Sequence, residues 1–326
     1  MRAPEFWHMR NARGLAGALA IVLSPLGWVY GAITSMRASR APEYAAPVPV
    51  ICIGNVVMGG AGKTLVCADL AKRLSAKGQK PHIIMRGYGG LTLAPTQVDL
   101  NVHGANDVGD EPLLLARLAP TWVGRNRAEV AKRACEAGAS VIVMDDGFQN
   151  STLAKTLSLL VVDTAYGFGN GRVCPAGPLR ETVNSAIARA HGVIALGNVN
   201  ADLKFDLPTF AGHTNAATLA PDIQGKRVIA FAGIGRPEKF FDTLKAAGAE
   251  LVETISFPDH HPFLSSEVED ILSKASANNC IVVTTEKDIV RIPAEFRTHI
   301  ISFPVQLNWE HEDAFERFIL ERAGLS

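Results

Sequence analysis

The sequence predicts an α/β protein of two lobes: a larger domain on a mainly parallel sheet, a smaller α/β lobe after it, and an apolar helix in front. Three observations carry this. Short Val- and Ile-rich runs alternate with stretches of helical character, as parallel strands covered on both faces do. The alternation lapses near residue 198 and resumes near residue 225. One segment, from Gly14 to Met36, carries no charged side chain.

The bulk properties set the outer bounds. A chain of 326 residues has length for roughly two domains of about 150 residues. With 48% hydrophobic and 20% charged residues it is too apolar to stay disordered. Lys and Arg total 32 against 32 Asp and Glu, so the basic surplus of a nucleic-acid binder is missing. The five cysteines, Cys52, Cys67, Cys135, Cys174 and Cys280, never fall in a Cys-x-x-Cys spacing. That argues against both a disulfide framework and a structural zinc site.

Taken in order, residues 1–40 form the first unit. As a helix, Gly14–Met36 would run about 34 Å, against a bilayer core of about 30 Å. Arg2, Arg10 and Arg13 precede it, Arg37 and Arg40 follow it, and Trp28 and Tyr30 lie in its second half. A cleaved signal peptide, a buried core helix and a membrane anchor all fit this pattern; the expectation is an anchor. Pro25 and Gly14, Gly17, Gly27 and Gly31 weaken a straight helix, which favours a hairpin within one leaflet.

Residues 41–197 form the second unit, entered through a Pro-punctuated linker. Its expected strands are Val50–Ile53, His82–Met85, Thr121–Val123, Val141–Met144, Leu157–Val162 and Val193–Leu196. Lys63–Lys77 and Ala128–Ala137 read as helices, each followed by the glycine that a C-cap favours, Gly78 and Gly138. Residues 198–224 are polar and read as an inter-domain connection. Residues 225–326 form the last lobe, with strands at Val228–Ala232, Leu251–Ile255, Cys280–Thr284 and Ile300–Phe303. Its helices are expected at Pro237–Ala247, Ser266–Ala277 and Glu310–Arg322.

The chemistry begins after the first strand, at Gly54-Asn55-Val56-Val57-Met58-Gly59-Gly60-Ala61-Gly62-Lys63-Thr64. Strand, glycine-rich turn, Lys-Thr and helix form the context of a phosphate-binding loop. Residues Gly59, Gly60, Ala61 and Gly62 would bring backbone N–H groups to phosphate oxygens, aided by the helix dipole. Lys63 would bridge the outer phosphates of ATP and the Thr64 hydroxyl would take Mg²⁺. The usual spacing puts glycine where Val57 stands. A second apolar strand ends in Asp145-Asp146-Gly147, where carboxylates hold Mg²⁺ directly or through water.

These motifs and several others occur together in one family. Arg86-Gly87-Tyr88-Gly89, Gly109-Asp110-Glu111-Pro112, Asp145-Asp146-Gly147-Phe148-Gln149, Pro178-Leu179-Arg180-Glu181, Phe257-Pro258-Asp259-His260 and Thr285-Glu286-Lys287-Asp288 stand in order along nearly the whole chain. With them the sequence resembles the tetraacyldisaccharide 4′-kinases, the lipid A 4′-kinases of Gram-negative bacteria. The resemblance implies a P-loop NTPase domain that transfers the ATP γ-phosphoryl group to the 4′-hydroxyl of a membrane-borne tetraacyldisaccharide 1-phosphate. It implies work at the cytoplasmic face of the bacterial inner membrane, with membrane lipid as partner and neither nucleic acid nor an obligate protein partner.

It also implies roles. Asp110 would be the base, paired with His260 from the other lobe, so that closure precedes chemistry. Arg180 would lie near the transferred phosphate and Glu181 near Mg²⁺. Arg86 and Arg127 offer guanidinium forks to the 1-phosphate, and Tyr88 a ring to nucleotide or sugar. Asn150 stands where the family usually has His, leaving a hydrogen-bonding amide in that place. From spacing alone Asp110 reads first as a helix cap, and His260-His261 as a loop turn before an adventitious metal site; Arg180-Glu181 also fits a surface ion pair, and Arg86 and Arg127 read equally as surface arginines. Glu286-Lys287-Asp288 receives no role. Two rivals remain: a membrane-bound regulatory ATPase of the partitioning type, opposed by Met58 in place of that group's signature lysine, and a nucleotide-dependent metal chaperone.

Overall fold

The computed structural model describes residues 4–7, 14–197 and 205–325. The Val- and Ile-rich runs become strands because burial on both faces leaves no need for polar alternation. β1 (Val50–Gly54) is buried at every position and lies at the centre of a nine-stranded sheet. α1 (Leu15–Ala38) precedes it; the chain leaves it through α2 (Lys63–Ala76) to β2 (Pro81–Met85), then passes β3 (Thr96–Gln97), α3 (Ala105–Val108) and α4 (Asp110–Leu115). β4 (Thr121–Val123), α5 (Arg127–Glu136) and β5 (Val141–Asp145) return it beside β1, and β6 (Leu157–Asp163), α6 (Val183–Ile187) and β7 (Gly192–Leu196) extend the other side.

β5 pairs parallel with β1, Ile53 opposite Asp145, so the glycine-rich loop and the paired aspartates leave neighbouring strand ends. This is the crevice beyond the carboxyl ends of the strands, where open α/β sheets bind ligands. The α2 residues Val66, Cys67, Leu70, Ala71 and Leu74 cover one face, and Val130, Ala131 and Ala134 of α5 cover the other.

The second sheet holds β9 (Arg227–Ala232), β10 (Glu250–Ser256), β11 (Ile281–Thr285) and β12 (Ile301–Phe303) in the order β10-β9-β11-β12, all parallel. Helices α7 (Pro237–Ala246), α8 (Ser265–Ala277) and the short α9 (Glu286–Ile289) belong to this lobe.

The chain joins the two sheets in a way the pattern did not show. Within the expected connection, β8 (Thr209–Ala216) is a strand of the first sheet, parallel to β7. From the expected last lobe, β13 (Val305–Trp309) crosses back and pairs antiparallel with β8. The following helix, α10 (Glu312–Ala323), packs on α2 through Phe315 and Ile319. β8 is partly exposed and reads Thr-Phe-Ala-Gly-His-Thr-Asn-Ala, so it lacks the apolar run of a buried strand. Trp309 stacks on Phe315 with ring centroids 3.9 Å apart and donates from Nε1 to Asp69 Oδ2 at 2.9 Å.

The amino-terminal helix also departs from expectation. α1 runs without a break through Pro25, so it is one helix and not a hairpin. Gly27 and Gly31 form its docking face. A Cβ at Gly27 would meet the Val173 carbonyl oxygen at 2.6 Å, and one at Gly31 would meet the Val173 side chain at 3.3 Å. Beside them the Ser185 hydroxyl donates to Ser35 Oγ at 3.0 Å, and Arg172 donates to Ser24. The opposite face exposes Ile21, Val22, Trp28, Val29 and Met36. Residues Gly17–Ala38 are long and apolar enough to cross a membrane. Arg2, Arg10, Arg13 and residues 198–204 lie outside the described residues.

The return of the chain to the first sheet predicts an effect at a distance from any site. Phe315 is fully buried under Trp309. Phe315→Ala is expected to cost on the order of 3–5 kcal/mol, measured by urea unfolding; a change within error would show that α10 does not belong to the first lobe's core.

Candidate active site

The glycine-rich loop spans the gap between β1 and α2, and its backbone explains its composition. Gly59 has φ +117° and Gly62, the residue before α2, has φ +85°, both in the region that favours glycine. Gly54 is needed for another reason: a Cβ there would stand 2.4 Å from the Phe148 Cβ.

Lys63 opens α2 and folds back over the loop. Its Nζ donates to Asn55 Oδ1 at 3.1 Å and lies 3.5 Å from Asp146 Oδ1. Arg180 reaches the same carboxylate at 2.9 Å and donates to Gln149 Oε1 at 3.2 Å. Burial would raise the Asp146 carboxyl, but Lys63 and Arg180 overcome it and hold its pKa at about 2. Two cations thus share one carboxylate, an arrangement primed for more negative charge.

Asp145 is the opposite case. It is 2% exposed, its Oδ2 accepts from the Thr64 hydroxyl at 3.4 Å, and its Oδ1 has no hydrogen-bond partner. Burial first, then the charge of Glu111, push its pKa up to about 7, with Lys63 opposing. A buried carboxylate oxygen without a partner beside a threonine hydroxyl is the donor set a hard divalent cation takes.

A second cluster lies where the lobes meet. Asp110 starts α4 after Gly109 and is 4% exposed. Its Oδ1 accepts from the Glu111 backbone N–H at 3.0 Å. Its Oδ2 lies 3.0 Å from His260 Nδ1 and 3.4 Å from Arg291 Nε, both from the other lobe. Glu111 pairs with Lys287 across the same seam. The fully buried Asp288 holds Arg291 at 2.6 Å and accepts from the Gly233 N–H at 3.0 Å. The Glu286-Lys287-Asp288 block therefore supplies the cation for Glu111 and steadies the one for Asp110. Farther along the seam, Asp163 at the end of β6 pairs with Arg236 at 3.1 Å and with Lys239. The two clusters approach each other through Gly235, where a Cβ would sit 3.5 Å from the Gly60 backbone nitrogen.

The other residues singled out by sequence have different fates. The Tyr88 ring lies 5.6 Å from that of His260 and is 70% exposed. Arg86 is exposed at the end of β2. Arg127 is 4% exposed; it donates to the Gly124 carbonyl at 2.6 Å, and its Nε has no partner. Burial lowers its pKa to about 10, with Asp145 and Asp146 pulling the other way. The Asn150 carboxamide oxygen accepts from the Thr152 N–H at 3.1 Å and the Thr152 hydroxyl at 3.0 Å, so it closes a local turn. Glu181, expected beside a metal ion, is wholly buried with Arg189 at 2.7 and 2.8 Å and Gln149 at 3.1 Å. Its oxygens are engaged in holding Gln149, which in turn holds Arg180. Asn55, Gln149 and Arg291 went unremarked as site residues. The first two stand inside quoted motifs; Arg291 had no signal.

The Asp110–His260 contact has a pH signature. Burial would raise the Asp110 carboxyl, but His260, Arg291 and Lys287 bring it below its ordinary 3.8. The hydrogen bond to Asp110 raises the His260 imidazole above 6.5, against the effect of burial. A lowered carboxyl stabilises the fold above its ordinary value and stops doing so as pH falls through the lowered one. A raised imidazole stabilises below 6.5 and stops as pH rises through the raised value. The contact is therefore strongest between the two. An NMR titration is expected to place His260 above 6.5 in the wild type and lower in Asp110→Asn; an identical midpoint in both would contradict the pairing.

Comparison with known proteins gives the family. The family model for tetraacyldisaccharide-1-P 4′-kinase matches residues 19–324. The tetraacyldisaccharide 4′-kinase of Paramagnetospirillum magneticum is 49% identical over 95% of this chain and 95% of its own length. That of Rhodospirillum centenum is 50% identical over 98% of this chain and 96% of its own. Among solved structures, the "apo" form of LpxK from Aquifex aeolicus in complex with ATP has a TM-score of 0.75 and 26% identity, covering 93% of this chain and 99% of that one. On the extent of the match and the identity to its relatives, this chain belongs to the tetraacyldisaccharide-1-P 4′-kinase family.

Proposed function

We propose that this site transfers the γ-phosphoryl group of ATP to the 4′-hydroxyl of tetraacyldisaccharide 1-phosphate. The observation that carries this reading is the meeting, at the mouth of the phosphate loop, of a carboxylate from one lobe with an imidazole from the other. A switch ATPase of the partitioning type has no use for that second group, and the family does not favour it.

The loop amides, Lys63 and Arg180 receive the phosphates. Lys63 and Arg180 now share Asp146, and incoming phosphate oxygens compete for both cations. The Thr64 hydroxyl and Asp145 fit Mg²⁺, because Asp145 Oδ1 is buried with no other partner; when bound, the ion neutralises charge on the phosphates. Sequence suggested Asp110 as base, but both its oxygens are engaged and it is buried. His260 is only partly buried, and Asp110 on its Nδ1 leaves Nε2 as the basic atom. Asp110 then orients the ring and stabilises the imidazolium after the sugar hydroxyl gives up its proton. The exposed Arg86 and Tyr88 ring offer contacts to the acceptor; Arg127 is buried with a partnerless Nε, and Asn150 closes its own local turn.

Anchoring suits the acceptor, since four acyl chains stay in the bilayer while the sugars meet the protein. The exposed face of α1 is the membrane contact, and the lobes stand at the cytoplasmic face of the bacterial inner membrane, where ATP is. The test is to incubate the full chain in detergent with γ-labelled ATP, Mg²⁺ and tetraacyldisaccharide 1-phosphate. Label is expected in the lipid and lost by at least a hundredfold, about 2.7 kcal/mol or more, with Lys63→Ala. Label appearing only as free phosphate, whatever the lipid, would refute the proposal and favour the ATPase.

A further inference from the structure

The turn between β2 and β3 carries apolar side chains that the fold does not use. Leu91 is 80% exposed and Leu93 58%, and Tyr88 stands beside them. Such a run of exposed large side chains on a surface turn marks a contact with something else. This turn is held firmly. The Leu91 N–H donates to the Asn106 carbonyl at 3.0 Å and the Thr92 N–H to the Asp107 carbonyl at 2.9 Å. Gly90 is packed so closely that a Cβ would meet the Val108 carbonyl carbon at 2.6 Å, and one at Gly109 would meet the Tyr88 carbonyl oxygen at 2.5 Å. The finger is thus clamped onto the segment that delivers Asp110, and its Tyr88 ring touches His260.

Charge sits at its base. Arg86 precedes Tyr88 and is exposed, and the exposed Arg125 donates its backbone N–H to the Leu93 carbonyl at 3.2 Å. The nearby Asp107 carboxylate is taken up by the Gly104 N–H at 2.7 Å. Leucines projecting beyond a pair of guanidinium groups match an interface of acyl chains below a negatively charged headgroup layer. Geometry gives the same answer. If the acceptor's 4′-hydroxyl reaches His260 while its acyl chains remain in the bilayer, the rim of the site beside Tyr88 faces that bilayer.

We infer that Leu91 and Leu93, flanked by Arg86 and Arg125, form a second membrane contact that docks on an anionic lipid surface and turns the mouth of the site toward the acceptor. The inference rests on the proposed kinase reading for its orientation, and on the exposed leucines and arginines for its chemistry. α1, packed against Val173 and Ser185, holds one edge of the first lobe at the membrane; a second contact, at the site itself, fixes the mouth against it.

The experiment uses the full chain with Leu91→Cys labelled by an environment-sensitive nitrobenzoxadiazole dye, beside an unsubstituted chain labelled identically. Vesicles of phosphatidylcholine alone are compared with vesicles containing phosphatidylglycerol. A blue shift with the anionic vesicles, absent from the control chain and smaller with neutral vesicles, is expected. In parallel, Leu91→Ser/Leu93→Ser is expected to raise KM for vesicle-borne acceptor roughly tenfold, leaving KM for ATP and kcat in detergent unchanged. No shift, an equal shift with both vesicles, or an unchanged acceptor KM would overturn the inference, and a loss of kcat in detergent would reveal a structural role instead. Transfer by the wild type without any dye shift would sink this inference alone. A dye shift without transfer by the wild type would keep the lipid contact and sink the kinase reading.

Discussion

Two carboxylates from one lobe, Asp110 buried and Glu111 partly so, face three cationic side chains of the other, and this seam governs the molecule. Asp110 and Glu111 begin α4, where the helix dipole favours them, but burial away from water is costly for a charge without a partner. His260, Arg291 and Lys287 supply those partners, and Asp288 fixes Arg291 from behind. Neither lobe can satisfy these groups alone, so the pairing that neutralises them also defines how the lobes meet. The Asp163 contact with Arg236 and Lys239 makes the seam a line and not a single hinge point.

The phosphate site pairs carboxylate with cation on the same principle. Asp146 holds Lys63 and Arg180 in place, while Asp145, starved of partners and with its pKa near 7, stands ready for a cation. Glu111 couples the two regions, since its charge is felt at Asp145 and it is itself balanced by Lys287.

Much of this was legible because it is local. The strand, loop and helix around Lys63 follow from apolar run, glycines and helical stretch within a short piece of chain, and Asp145 from the strand that ends on it. What was not legible is long-range. β13 is an edge strand and β8 the strand next to it, both of mixed polarity, and nothing in their residues says that they join the first sheet. Gly27 and Gly31 in α1 read as helix weakeners by propensity, whereas close approach to Val173 is what decides their presence. Glu181 and Asn150 carry functional-looking residue types whose hydrogen bonds turn inward. Arg291 sits in no motif, and only the folded chain brings it to Asp110.

The claim at the centre of this account is that Asp110 and His260 act as one unit across the seam. A double-mutant cycle on kcat, with Asp110→Asn, His260→Ala and the two together, measures it most directly. If the pair is a unit, the double variant is no slower than the slower single variant, as groups sharing one catalytic task are strongly non-additive. If the two losses multiply, the residues work independently and the account of the seam as a proton-accepting pair fails.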